Sequence, residues 1–285
     1  MSSSLSLAIG SPSLFSHKRY QLQKERSINQ FKEHDFIYRS AEDNLLERLD
    51  DIKQDFQDIL IIGARSPKPF QRFASAHRCI GLDGFIHSYC ATLFDNETYP
   101  FPSCTFDLVL SFLTLHWVND LPGTLSQIRN CLKPDGLFIG VLMGGETLPE
   151  LSYSLFNAEA SLSNTVHSRI GPFVDRSMIG ALLQRAGFAS PVIDIDRLTA
   201  YYPDIFSLMK DIRGMGEANK LVKEPNSLTR NLITQAQNIY AQHFSVDGRL
   251  RASFELLYVM GWAPSSSHLK ALRTRTRERL LRNVT

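Results

Sequence analysis

Cysteine is scarce in this chain and is never paired in sequence. Cys79, Cys90, Cys104 and Cys131 form no C-x-x-C pair and show no metal-ligand spacing, so no metal site is expected and the thiols read as reduced groups of a cytosol-like compartment. Long hydrophobic runs are missing too. None approaches the ~18 apolar residues of a membrane helix, so no transmembrane segment is expected. Charge of one sign is also lacking: 31 Lys and Arg stand against 29 Asp and Glu, and the surplus of +2 gives no argument for a nucleic-acid partner. There is no internal repeat and no low-complexity domain. The first residues are Ser-rich and acid-poor until Glu25, faintly like a transit peptide, but Gly10 and Pro12 break their apolar part and argue against a secretory signal. A bacterial cytoplasmic protein is the expectation, and a mitochondrial matrix protein is the alternative.

What is present centres on the stretch from Phe106 to Gly145. Phe106-Asp107-Leu108-Val109-Leu110-Ser111 is a short apolar run, as in a strand covered on both faces. Leu125, Ile128 and Leu132 recur at helical spacing, and Lys133-Pro134-Asp135-Gly136 predicts the helix stop. Leu137 to Leu142 is again a buried strand. Strand, helix and strand with short connections make a βαβ unit and a parallel sheet. Upstream, Leu45, Leu49 and Ile52 predict an amphipathic helix, Asp58 to Ile62 a first strand leaving through Gly63, and Arg78 to Asp83 a second strand ending in an acid. Downstream, a helix from about Leu148 to Ser161 and another after Asp175 precede an alternating run from Val192 to Tyr202, the first late antiparallel strand. Ile205, Leu208, Met209 and Ile212 form a helix face, a second helix runs from about Ser227 to His243, and Ala252, Phe254, Leu256 and Tyr258 mark the last strand.

Ligands of open parallel sheets sit outside the carboxyl ends of the strands. The loop after the Phe106 strand holds that position and carries Ser111, Thr114, His116, Trp117, Asn119 and Asp120. His116 could exchange a proton near neutral pH, and Trp117 could form an apolar wall; the competing reading is a hydrogen-bonded core histidine and a core tryptophan. Asn119 or Asp120 is expected to cap the next helix, with Pro122 in its first turn. His116, Trp117 and Asp120 are the catalytic candidates.

The combination of F-D-L-V-x-S and L-K-P-D-G-x-F resembles the second half of a class I S-adenosylmethionine-dependent methyltransferase. L-H-W-V-N-D-L-P-G, M-G-G-E-T-L-x-E-L, L-L-Q-R-A-G-F and R-G-M-G-E-A-N narrow the likeness to the methyltransferase-like assembly factors of respiratory complex I and their bacterial relatives. It covers almost the whole chain, from about Ser11 to Pro264. The resemblance implies an α/β fold, Rossmann-like, with a mostly parallel sheet, late antiparallel edge strands and a C-terminal helical insertion. It implies S-adenosylmethionine as cofactor, with Gly63 and Ser111 lining the cleft, Asp83 on the ribose hydroxyls, and Asp95 and Asn96 on the adenine side. A glycine-rich turn like D-x-G-x-G-x-G would let the backbone approach the methionine end. Here the aligned residues are Ile61, Gly63, Arg65 and Pro67, so only the first glycine is kept and weakened or lost cofactor binding is the expectation.

The domain reading that follows is a basic N-terminal arm (1–40), a Rossmann-like domain (41–194), a helical insertion and edge strand completing it (195–264), and a basic tail (265–285). The tail could touch an acidic partner or a membrane surface peripherally. Three functions are weighed. The resemblance implies a protein partner, a complex I subunit, and hydroxylation of one of its arginines. An ordinary methyltransferase, similar to the one acting on a malonyl carrier, calls for an intact glycine loop. A binding platform without catalysis fits a degenerate one.

Overall fold

In the computed structural model, which describes residues 13–83, 92–93, 97–163, 166–223 and 227–265, the runs apolar on both faces lie inside one sheet and the alternating runs lie at its edge. The chain enters through α1 (His17–Ser27), the single turn α2 (Phe31–His34) and α3 (Phe36–Asp50). Next come β1 (Asp58–Ile62), α4 (Lys68–Arg72), β2 (Arg78–Asp83), β3 (Thr92–Leu93) and β4 (Phe106–Phe112). A 3-10 turn at Leu115–Trp117 leads to α5 (Leu121–Cys131) and β5 (Leu132–Met143), which complete the βαβ unit. Then follow α6 (Pro149–Leu162), α7 (Arg176–Arg185), β6 (Ala189–Tyr202), α8 (Ile205–Gly214), α9 (Arg230–Phe244), β7 (Ser245–Val246) and β8 (Arg249–Trp262).

The strand order is β3-β2-β1-β4-β5-β8-β6, with β7 paired to β8. The first five strands are parallel, and β8 runs antiparallel between β5 and β6. Alternation sorts β1 between two cores: Ile59 and Ile61 join a cluster with α3, α6, α8 and α9, whereas Leu60 and Ile62 join one with α5 and α7. All four are fully buried, each worth about 1.5–3 kcal/mol of transfer free energy. The strand order reverses between β1 and β4, which is where such sheets open a cleft.

Lys133–Gly136 follows the end of α5 at Cys131 and is the irregularity in the β4–β5 register, between the Phe106–Leu132 and Leu108–Leu137 pairs. Asp135, at φ 61°, sits within it, its N–H donating to the Ala263 carbonyl at 3.0 Å while the Gly136 carbonyl accepts from Ala263 N–H at 2.7 Å. The segment 13–35 is not a loose arm but three packed pieces. Asn119 accepts from the N–H groups of Leu14 and Phe15 at 2.7 Å each, Ser16 caps α1, and Phe15 bridges Leu221. Helix α1 then buries Tyr20, Lys24 and Ser27 on one face. The tail from residue 266 lies outside the described residues.

Candidate functional site

Three strand ends converge at the reversal point. Gly63 follows β1 at φ +73°, and a Cβ there would lie 2.2 Å from Thr114 Cγ2 and 2.5 Å from the Phe112 carbonyl oxygen, so only glycine fits the turn. Asp83 ends β2 and is buried, accepting from the Tyr20 hydroxyl at 3.2 Å. Ser111, near the end of β4, is buried with its hydroxyl 3.2 Å from that of Thr114. Asp95 and Asn96 lie outside the described residues.

The loop after β4 does not act as one unit. His116 and Trp117 turn inward on the 3-10 segment, both buried, and pack edge-on against Phe173 with ring centroids 5.2 and 5.1 Å away. Asp120 goes the other way: it is exposed, and its carboxylate caps α5 by accepting from Gly123 N–H at 2.9 Å. The structure does not bring Asp120 to the cleft. Glu146 is exposed as well.

At the centre stands Glu217, on the turn after α8. One carboxylate oxygen accepts from Trp117 Nε1 at 2.5 Å and meets His116 Nε2 at 3.2 Å and Lys220 Nζ at 3.5 Å. The other pairs with Lys24 of α1. The side chain of Lys220 is also fully buried, donating to the Gly216 carbonyl at 2.8 Å with its ammonium 3.9 Å over the Trp117 ring. Burial works to raise Glu217, but Lys220, Lys24 and His116 hold it well below the usual carboxylate range. Burial lowers Lys24 against the pull of Glu217, and lowers Lys220 to about 7. Burial also lowers His116, which keeps the imidazole neutral at pH 7.

Arg65, where the resemblance places a permissive glycine, reaches into the same space. It donates to the Met215 carbonyl and to Ser27 Oγ at 2.9 Å each, and its guanidinium stacks 3.5 Å over Phe31. Beside this cluster lies an apolar cavity of about 250 Å³ walled by Leu148, Leu151, Leu155, Phe173 and Phe254, with Trp117 and Glu217 also in its lining. Glu217 is the one acid in its lining among the described residues. Of its two arginines, Arg169 bonds Glu159 at 2.8 Å and Arg213 is exposed. Sequence reasoning noted the turn around Gly214 and Gly216 but missed Glu217 and Lys220 themselves. The available signal was an acid and a lysine three residues apart, flanking a glycine turn next to an apolar helix face.

The fold and the cleft define a class I methyltransferase-like protein. A family model described as a methyltransferase domain matches residues 70–140. The mitochondrial arginine-hydroxylase NDUFAF5 of Rattus norvegicus is 37% identical over 244 residues, covering 80% of this chain and 70% of the relative. The same protein of Danio rerio is 44% identical over 177 residues, covering 62% of this chain and 55% of the relative. The chain thus spans little more than half the length of the zebrafish relative. A malonyl-[acyl-carrier protein] O-methyltransferase of Methylovorus is 28% identical over 279 residues, 89% of this chain and 91% of that protein. Among solved structures, the YcgJ protein of Bacillus subtilis shares the fold with a TM-score of 0.53 at 16% identity, covering 79% of this chain and 100% of that one. The chain belongs to the family of the NDUFAF5 arginine hydroxylases.

Proposed function

We propose that this chain binds S-adenosylmethionine at the carboxyl ends of β1, β2 and β4 and modifies an arginine of a protein partner, a complex I subunit, during complex I assembly. The observation that carries this reading is an apolar cavity lined by the buried carboxylate of Glu217, which pairs with Lys24 of α1, the helix whose Tyr20 bonds the strand-end Asp83. Arginine is an aliphatic stem with a cationic head, and this cavity offers an apolar wall with an acid in its lining.

The residues fit the cofactor at its nucleoside end. Gly63 leaves its turn free of Cβ, and Asp83 is an acid whose hydroxyl partner, Tyr20, belongs to a separate helix. At the methionine end Arg65 and Lys24 fill the cleft in this form, so binding there displaces Lys24. When bound, S-adenosylmethionine supplies an electrophilic methyl group. Trp117 and Phe173 keep water from the Glu217 carboxylate, and neutral His116 holds it through Nε2. Hydroxylation inserts one oxygen atom, so its oxidant and electrons are brought by a co-reactant.

The test is mass spectrometry of an arginine-bearing peptide of the subunit, incubated in air with the purified chain, S-adenosylmethionine and a reductant. Gain of one oxygen on the arginine is expected. Gain of a methyl group instead would favour the second reading, an ordinary methyltransferase, which the malonyl-carrier relative supports. An unmodified peptide that still binds would favour a platform, a reading supported by Arg65 in the cleft. We read the chain as a protein of a reducing compartment, the bacterial cytoplasm or, following the relatives' printed names, mitochondria.

A further inference from the structure

Helix α1 presents two functional groups to the cleft, one helical turn apart. The Tyr20 hydroxyl donates to Asp83, and the Lys24 ammonium pairs with Glu217. A hydroxyl and an ammonium are also what the cofactor offers at its two ends, the ribose diol and the α-amino group. The first strand offers no acid for the amino group, because the position before Gly63's turn is Ile61, fully buried among apolar side chains. We infer that Glu217 is the carboxylate that receives the α-ammonium of the cofactor, and that Lys24 holds that place while the cleft is closed.

Four observations carry this. Glu217 and Lys24 line one small gap with Tyr38, and the Tyr38 hydroxyl donates to the Gly63 carbonyl at 2.8 Å, which puts the acid beside the glycine turn. The division of labour on the carboxylate is clean. One oxygen is held by His116, Trp117 and Lys220, the other by Lys24. When Lys24 leaves with α1, that second oxygen is a buried anionic acceptor without its cation, and a ligand cation of the same shape restores the pair. Arg65 also bonds Ser27 of α1, and its hold on the Met215 carbonyl keeps the guanidinium beside this place for the cofactor's carboxylate when α1 moves. Exchange of one ammonium for another also leaves the buried charge unchanged, whereas entry of a cation beside Lys24 would bury an unpaired charge. In this account charged side chains read the methionine end, in place of the second and third glycines.

The inference rests on the cofactor reading above, and two ligands separate the two. S-adenosylhomocysteine carries the amino-acid end; 5′-methylthioadenosine lacks it. Both are titrated calorimetrically into the wild-type chain, Lys24→Met, and Lys24→Met combined with Glu217→Gln. Lys24→Met removes the competitor and keeps the apolar stem. It is expected to raise the preference for S-adenosylhomocysteine over methylthioadenosine at least fivefold relative to wild type. Adding Glu217→Gln is expected to take away at least tenfold of the S-adenosylhomocysteine affinity and to leave methylthioadenosine unmoved. If the double variant does not fold, Lys24→Met alone decides. Parallel shifts of both ligands, or no shift, overturn the assignment of Glu217 while the cofactor reading stands. If neither ligand binds the wild-type chain, the cofactor reading falls and takes this inference with it.

Discussion

At the scale of single residues, the site is a set of acids and the groups that neutralise them. Asp83 is buried at the end of β2, where a carboxylate can hold two ribose hydroxyls. Asp83→Ala is expected to weaken S-adenosylmethionine binding by more than tenfold, in line with ~1.5–3 kcal/mol for a hydrogen bond to a charged group, read by calorimetry. Unchanged affinity would remove the ribose role. Lys220 gives a pH signature. Its folded value is lowered to about 7 from 10.5, so between those limits the unfolded chain binds more protons than the folded one. Stability therefore rises as pH climbs from about 7 towards 10.5, and below 7 the full penalty of burying the charge is present. Burial lowers the Lys220 value most, Glu217 opposes that, and Lys24 and Arg65 face the same ammonium and add to the lowering. Lys220→Met is expected to flatten that rise in urea unfolding series; an unchanged slope would mean Lys220 titrates normally. Some of this was legible in the sequence. A strand-ending acid and a glycine at a strand exit stand out by position, and the resemblance to class I methyltransferases is what assigned Gly63, Asp83 and Ser111 to the cofactor. Glu217 was not legible, because its importance comes from four partners between 24 and 220 in the chain, a relation no local pattern encodes.

At the scale of elements, α1 is held as a cover by a few polar contacts at its start. Asn119 accepts from two N–H groups and donates to the Phe15 carbonyl at 3.2 Å, which fixes residues 14–15 before the helix begins. Asn119→Ala is expected to release this segment, with ~1–3 kcal/mol lost locally and faster proteolysis within residues 13–27. Equal cleavage rates in variant and wild type would show that Phe15 and Leu221 hold the segment alone. The β1 exit is the other sensitive element. Gly63→Ala adds a Cβ into the Phe112 carbonyl at a left-handed φ, and is expected to lower stability by more than ~2 kcal/mol in thermal unfolding. Sequence periodicity located the helices and strands well because each buries one stripe or both faces. It read the helix stop at Lys133–Gly136, but not that hydrogen bonds with Ala263 tie this bulge to the chain after β8. Charge along 17–27 left a solvated arm and a segment packed over the cleft both open, since pairing of Lys24 with an acid 193 residues away leaves no trace in the local composition.

At the scale of the whole molecule, a mostly parallel sheet with one antiparallel strand inserted before its edge supports the cleft from one side, and α1 and the turn after α8 close it from the other. The methyltransferase-like architecture and its family were legible in the strand-end motifs, and the relatives bear both out. The contact between α1 and the turn after α8 was not, because the pairing of Lys24 with Glu217 is long-range. The account as a whole stands on the cleft accepting the cofactor once α1 yields. Its most direct test is calorimetric titration of the full chain with S-adenosylmethionine and S-adenosylhomocysteine, run beside Asp83→Ala. Micromolar binding of both ligands, lost in that variant, is the expected result. No binding heat at millimolar ligand would contradict the account and leave a platform that kept the fold without the cofactor.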